Sequence, residues 1–317
     1  MTAVGTRCTL AVALTLALLV AGCSSGSSHS GGSTTTTASK RTTTTTSTGS
    51  AAGPVCGNPG SAPARYRSVV VFSFENRTWS DVGLGFGPAM PYLHGLGQQC
   101  SYFEDWTETD PAQNSLTQYV GQVTGARQPG TVNDCSPSAT CSTRADNLFR
   151  QLRDDGRKAV NYVEGATAPC SADHNAVRHV PALYLWGDGD RQACAAQVRP
   201  LDQLDVNALP SFAFITPGLC NDGHDCGNQV VDRWASEHVQ PVLDSAAYRR
   251  GQVAVFIWYD EDHPVPNLWM TPTAVPGPLQ VSGAGASATL RAWQAMLGVP
   301  CLADACSAPD LRGPAHS

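Results

Sequence analysis

Apolar runs and amphipathic stretches alternate along this chain from residue 68 onwards. The runs at 68–74, 158–163, 211–216 and 252–259 are short and bounded by polar residues. Runs of that length read as buried strands rather than helices. The first, Val69-Val70-Val71-Phe72-Ser73-Phe74, has the near-continuous apolar character of a central strand covered on both faces. Between the runs lie helical patterns. One spans 143–155, with Thr143 and Asp146 at capping-box spacing and Gly156 just past its end. A second runs from 230 towards 248 and is broken or kinked by Pro241; a third, 288–297, stops at Gly298. Strands separated by helices imply βαβ units. The predicted fold class is therefore α/β: a three-layer α/β/α sandwich with a mostly parallel central sheet.

The N-terminus changes the picture first. Arg7 supplies a positive start and 10–20 an apolar core too short for a comfortable membrane span. Leu19-Val20-Ala21-Gly22-Cys23 then has the small-residue pattern of a bacterial lipoprotein signal, in which Cys23 is lipidated after cleavage. An ordinary secretory signal cut nearby is the alternative; either way the protein is exported. Residues 1–22 are thus expected to be signal peptide. Residues 23–55, nearly all Ser, Thr, Gly and Ala at first, read as a lipidated Cys and a flexible tether. The folded domain is then 56–317, on a cell-surface lipoprotein or a secreted protein.

Cysteine usage agrees with export. Of 12 Cys, Cys8 falls in the signal and Cys23 is the lipid site. The other ten lie as sequence neighbours: Cys56 with Cys100, Cys135 with Cys141, Cys170 with Cys194, Cys220 with Cys226 and Cys301 with Cys306. None has zinc-module spacing, so five disulfides are expected, although ten cysteines allow many connectivities. The formal charge of −6 becomes −7 once Arg7, the one charged residue before Cys23, is removed. An acidic chain without a Lys/Arg cluster is a poor partner for nucleic acid.

Candidate chemistry sits where the strands end. The first run leads into Glu75-Asn76 and the last into Asp260-Glu261-Asp262. Open α/β sheets bind ligands outside the carboxyl ends of their strands. Carboxylates and a carboxamide there offer hard oxygens to a cation. Acidic residues also mark strand ends simply because water begins there, but two such ends favour a site. The run at 158–163 leads into Glu164, and 211–216 into a loop carrying Asn221, Asp222, His224 and Asp225, which a Cys220–Cys226 bridge would cinch. The stretch 110–125 reads as a turn feeding a helix and offers two hydroxyls, Ser115 and Thr117, where free N–H groups suit a phosphate. Ser115 also fits a plain helix cap, and His224 a surface-loop histidine. Gly83-Leu84-Gly85-Phe86-Gly87 follows no strand-turn-helix pattern and reads as loop; the sequon Asn76-Arg77-Thr78 is incidental in a bacterial lipoprotein.

Five segments in order carry a resemblance: Glu75-Asn76-Arg77-Thr78; Ser115-Leu116-Thr117-Gln118-Tyr119 closed by Gly125; Arg178-His179-Val180-Pro181; Pro217 with Asn221-Asp222-Gly223-His224-Asp225; and Asp260-Glu261-Asp262. Together they resemble the bacterial secreted phosphoesterase family of acid phosphatases and phospholipases C, on an alkaline-phosphatase-like fold. The resemblance implies a divalent cation of unspecified identity on Glu75, Asn76, Asp260 and Glu261, with Ser115 as nucleophile and a phosphoserine intermediate. It gives His224 a proton-donating or phosphate-binding part and His179 a part in shaping the pocket. Two departures stand out. Gly285-Ala286-Ser287-Ala288 lacks the family's histidine, and the nucleophile segment lacks its Pro-Asn, leaving Thr117 as a competitor to Ser115. The leading expectation is a metal-dependent phosphoric-ester hydrolase, an acid phosphatase acting on small phosphomonoesters outside the cell. Phospholipase C, and a binding lipoprotein of the same fold without turnover, are the alternatives.

Overall fold

The computed structural model describes residues 53–83, 89–111 and 114–316. The signal, Cys8, the lipid site Cys23, most of the tether, and the glycine segment beyond Gly83 lie outside the described residues. In chain order the elements are β1 (Ser68–Phe74), α1 (Trp79–Val82), α2 (Pro91–Gln99), β2 (Ser101–Phe103), α3 (Ser115–Thr124), α4 (Leu148–Asp154), β3 (Ala159–Val163), α5 (Asp190–Gln197), β4 (Val198–Pro200), β5 (Phe212–Thr216), α6 (Asn228–Leu243), α7 (Ala246–Arg249), β6 (Val253–Tyr259), β7 (Leu268–Met270), β8 (Gly277–Leu279) and α8 (Ala286–Leu297). They form one eight-stranded sheet in the order β4-β3-β5-β1-β6-β7-β2-β8. Only β7 runs against its neighbours β6 and β2; the other pairings are parallel.

Strand alternation builds the three layers. On one face Phe212 and Phe214 of β5 and Phe256 and Trp258 of β6 meet Tyr119 of α3, Phe149 of α4 and Trp293 of α8. On the other, Phe72 and Phe74 of β1 meet Trp234 of α6 edge-on. All seven residues of β1 and of β6 are buried, as a central strand between two helical layers requires. The predicted α/β/α sandwich is borne out.

The register positions the chemistry. β1 and β6 pair from Ser68↔Val253 to Phe74↔Tyr259. The next residue on each strand, Glu75 and Asp260, therefore leaves the sheet at the same level on adjacent strands.

Some boundaries differ from expectation. The helix expected from 143 starts at Leu148, because Asn147 caps it by accepting from Arg150 N at 2.8 Å. Thr143 instead donates to Gln128 Oε1 and accepts from Ala145 N. α6 continues through Pro241 to Leu243, and the break falls at Ser245, which caps α7. α2 has no side-chain cap of its own. Asp232 of α6 accepts from Tyr92 N and Leu93 N at 3.0 and 2.9 Å, a tertiary cap that local sequence does not reveal. The five disulfides pair as sequence neighbours.

Candidate functional site

Glu75 and Asp260, both fully buried, and half-buried Glu261 place carboxylate oxygens within 4.8 Å of one another. Glu75 Oε1 and both oxygens of Asp260 lack any hydrogen-bond partner. Buried anions without donors are costly and are normally relieved by protons or cations. Burial, then repulsion from Asp260 and Asp222, holds the Glu75 carboxyl well above its ordinary range. Burial and then Glu261 do the same to Asp260. Glu261 is pushed up to about 7 by burial, then by Asp262, Asp134 and Glu108. Three converging carboxylates, two of them with orphaned oxygens, fit a divalent cation, and oxygen ligation does not choose among magnesium, calcium, manganese and zinc. Asn76 follows Glu75 with φ 49°, in the left-handed region that asparagine tolerates better than most residues. Its carbonyl accepts from Arg77 Nη1 at 2.7 Å.

The two candidate hydroxyls part company. Asn114 caps α3, which leaves Ser115 free as the first helical residue, and its Oγ donates to Glu75 Oε2 at 3.0 Å. Thr117 is fully buried and its hydroxyl goes to the Thr131 carbonyl at 3.0 Å and Asn114 Oδ1 at 3.3 Å, not to a carboxylate of the cluster. Ser115 therefore joins the cluster and Thr117 does not.

His179 is buried between two acids. Asp222 Oδ2 accepts from Nδ1 at 2.9 Å, and Nε2 lies 3.4 Å from Glu75 Oε1. The ring stacks on Tyr119, at 5.1 Å and 15°. Asp222 also accepts from His224 N at 2.8 Å, which sets the His224 ring 5.8 Å from that of His179. His224 Nδ1 pairs with Asp225, so Nε2 is the nitrogen left for other partners.

The loop that carries these groups is pinned from three sides. The Cys220–Cys226 bridge closes it, and Glu164 accepts from Gly218 N and Asn221 Nδ2. Glu75 N donates to the Asp222 carbonyl at 2.9 Å. Gly223 sits at φ 110°, and a Cβ there would come within 2.9 Å of the Glu75 carbonyl oxygen. Only glycine serves both demands. Arg77 adds a clamp, donating at 2.7 Å to the Cys226 carbonyl and to Asn228 Oδ1.

Asp222 and Tyr119 enter the site without having been singled out by sequence. Tyr119 stands four residues after Ser115 on one helical face, a spacing that could have flagged it. Asp222 was visible only as one polar residue among several in its loop. At the segment lacking the family's histidine, Thr107 and Ala284–Ala286 are stitched together through backbone hydrogen bonds, and a Cβ on Gly285 would clash with the Thr107 carbonyl.

No family model matches the chain. A 61-residue stretch is 37% identical to a probable acid phosphatase of Kluyveromyces lactis, covering 19% of this chain and 14% of that protein. A 103-residue stretch is 27% identical to a phosphate-repressible acid phosphatase of Penicillium chrysogenum, covering 31% and 25%. The chain thus matches a quarter or less of these relatives' length. Among solved structures, an alkaline phosphatase superfamily protein from Vibrio parahaemolyticus superposes with a TM-score of 0.54 at 12% identity, over 78% of this chain and 72% of that one. The lipoteichoic acid synthase of Listeria monocytogenes does so with 0.53 at 10%, over 78% and 76%. The chain has the fold of the alkaline phosphatase superfamily, with a short stretch similar to fungal acid phosphatases.

Proposed function

We propose that this protein is an exported, cation-dependent phosphoric-ester hydrolase that acts on phosphomonoesters through a phosphoserine. One observation carries the reading: a serine hydroxyl at a helix start donates to Glu75, one of three converging carboxylates, two of which, Glu75 and Asp260, hold buried, unpaired oxygens. Glu75, Asn76, Asp260 and Glu261 are the residues that would hold a divalent cation, whose charge offsets that on a phosphoryl group.

The chain's own groups do the rest. Glu75 Oε2 orients the Ser115 hydroxyl and is the first acceptor for its proton. Ser115 Oγ forms the bond to phosphorus as the ester P–O bond breaks, and the electron pair leaves with the alcohol oxygen. His224 Nε2, at the partly exposed rim, supplies the proton that the leaving alkoxide needs. Water then attacks the phosphoserine, releases phosphate and regenerates Ser115. Asp222 fixes the His179 ring through Nδ1 and so holds Nε2 3.4 Å from Glu75 Oε1.

Among the described residues Val275 is the one large apolar side chain that stands exposed, and it offers no lipid-facing patch. That favours soluble phosphomonoesters over the phospholipase C alternative. The hydroxyl contact with Glu75 favours turnover over mere binding. Five disulfides suit an oxidising compartment outside the cytoplasm, and no helix among the described residues is long and apolar enough to cross a membrane. Anchoring through a lipid on Cys23 completes the proposal; mass spectrometry of the mature N-terminus tests it, and an unmodified terminus elsewhere in the Ser/Thr-rich stretch refutes it.

The decisive assay is 4-nitrophenyl phosphate hydrolysis with and without chelator. Ser115→Ala should abolish turnover while cation binding persists, and Thr117→Ala should retain turnover. Full activity in Ser115→Ala would overturn the reading, and phosphatidylcholine hydrolysis exceeding that of the monoester would replace it with the phospholipase one.

A further inference from the structure

Given Ser115 as the attacking group, a second question is what receives the phosphoryl group beside it. The N–H groups that open α3 stand at the positive end of the helix; Thr117 N and Gln118 N turn back to the Asn114 carbonyl, and Leu116 N does not. One of them is already taken. Leu116 N, next to Ser115, donates to Asp134 Oδ1 at 3.3 Å, and Asp134 Oδ2 accepts from Arg178 Nη1, also at 3.3 Å. A carboxylate therefore occupies an anion position one residue from the hydroxyl that touches Glu75.

This pair lacks the marks of a structural ion pair. Charge-assisted bonds between well-fitted partners run about 2.7–2.9 Å. Both bonds here are longer, and the side chains stay 30% and 39% exposed. Arg150, which is structural, is buried and meets Asp190 at 2.6 Å with further bonds to Asp188 and to backbone carbonyls. Arg178 has Asp134 as its one hydrogen-bond acceptor among the described residues. It also directly precedes His179, which reaches Glu75.

We propose that Asp134 holds the place of the substrate phosphoryl group. An incoming phosphate displaces its carboxylate and takes over the Leu116 N–H and Arg178. Arg178 is then a substrate-binding residue and Asp134 a selector. The selection follows from charge. A phosphodiester carries one negative charge, like the carboxylate it must displace, and gains little from the exchange. A phosphomonoester dianion carries two and wins. The pair thus biases the site towards monoesters.

The test uses the full chain, with inorganic phosphate as the calorimetric probe and 4-nitrophenyl phosphate against bis(4-nitrophenyl) phosphate as substrates. Asp134→Asn should bind phosphate about tenfold more tightly, the size of one charged hydrogen bond no longer in competition, and should narrow the monoester preference by a similar factor. Arg178→Ala should weaken phosphate binding about tenfold, with most of it restored in Arg178→Lys. Unchanged or weaker phosphate binding in Asp134→Asn would make Asp134 a simple cap on α3 and overturn the proposal. If that variant does not fold, the arginine decides: unchanged phosphate binding in Arg178→Ala overturns it equally. Wild type that binds phosphate but hydrolyses neither ester would instead remove the catalytic reading, so the two failures are distinguishable.

Discussion

Replacing Asp260 with Asn should stabilise the protein without its cation and destroy its response to one. The reasoning starts from the three carboxylates whose oxygens lie within 4.8 Å of one another. At that outer limit two unit charges repel by about 3.5 kcal/mol if the effective dielectric is about 20. Asp260 faces two such neighbours and has no donor to either oxygen. Proton uptake caps the cost, so the relief on neutralising Asp260 at pH 7 should be about 2–3 kcal/mol, or roughly 5–10 °C in Tm for a domain of this size. The new amide can also donate to Glu75. The sign with pH follows. Carboxyl groups held above their ordinary pKa keep extra protons in the folded state, so stability falls as pH rises from the unfolded range, about 4, through the folded value. For Glu261 that window closes at about 7. Cation-free wild type should therefore lose stability from about pH 4 to 7, while Asp260→Asn should lose less. Adding cation at about a hundred times its Kd should raise wild-type stability by about 2.7 kcal/mol and leave the variant unmoved. The assay is thermal unfolding in chelator and in magnesium, manganese, calcium or zinc, over that pH range. A variant less stable than wild type in chelator, or one that still responds to cation, refutes the electrostatic account of the cluster.

Two further perturbations probe the scaffold around the cluster. Arg77 ties the Asn76 carbonyl, the Cys226 carbonyl and Asn228 together with 2.7 Å bonds, so Arg77→Ala should cost about 2–3 kcal/mol of stability. It should also weaken cation binding by calorimetry, with Arg77→Lys recovering only part because lysine lacks the planar fork. Replacing Cys220 and Cys226 together opens a six-residue loop, a loss of about 2 kcal/mol on the chain-entropy account. Turnover should fall further than that implies, because Asp222 and His224 lose their fixed positions; unfolding and kinetics on the same variant separate the two effects.

The sheet and the ends of its central strands were legible because burial on both faces leaves an unbroken apolar run that stops where the acid begins. The predicted strand 68–74 matches β1 in full, and the others are within a residue at their starts. The short strands β2, β4, β7 and β8, three residues each, carry no period to detect. α2 hid behind Gly95 and Gly97 and a cap supplied by Asp232 of another helix.

The candidate site divides along the same line. Glu75 and Asp260 could be paired from sequence because parallel strands of equal length deliver their next residues to one level, and the register from Ser68↔Val253 to Phe74↔Tyr259 does so. Choosing Ser115 over Thr117 needed the helix phase, since a shift of two residues turns a hydroxyl to another face. It rests on Asn114 acting as the cap, which neither residue's identity reveals. Asp222 and Asp134 were beyond reach for a different reason. Each acts through a contact across at least 18 residues, Asp222 on His179 and Asp134 on Leu116, and each lies in a loop where no periodicity constrains direction. What sequence marks is therefore the groups held by regular structure. The groups that orient them, and by our proposal select the substrate, come from irregular loops: Asp222 lies inside the one closed by Cys220–Cys226, and Asp134 directly precedes the one closed by Cys135–Cys141. Substrate preference should accordingly respond to substitutions in those two loops far more readily than the cation site does.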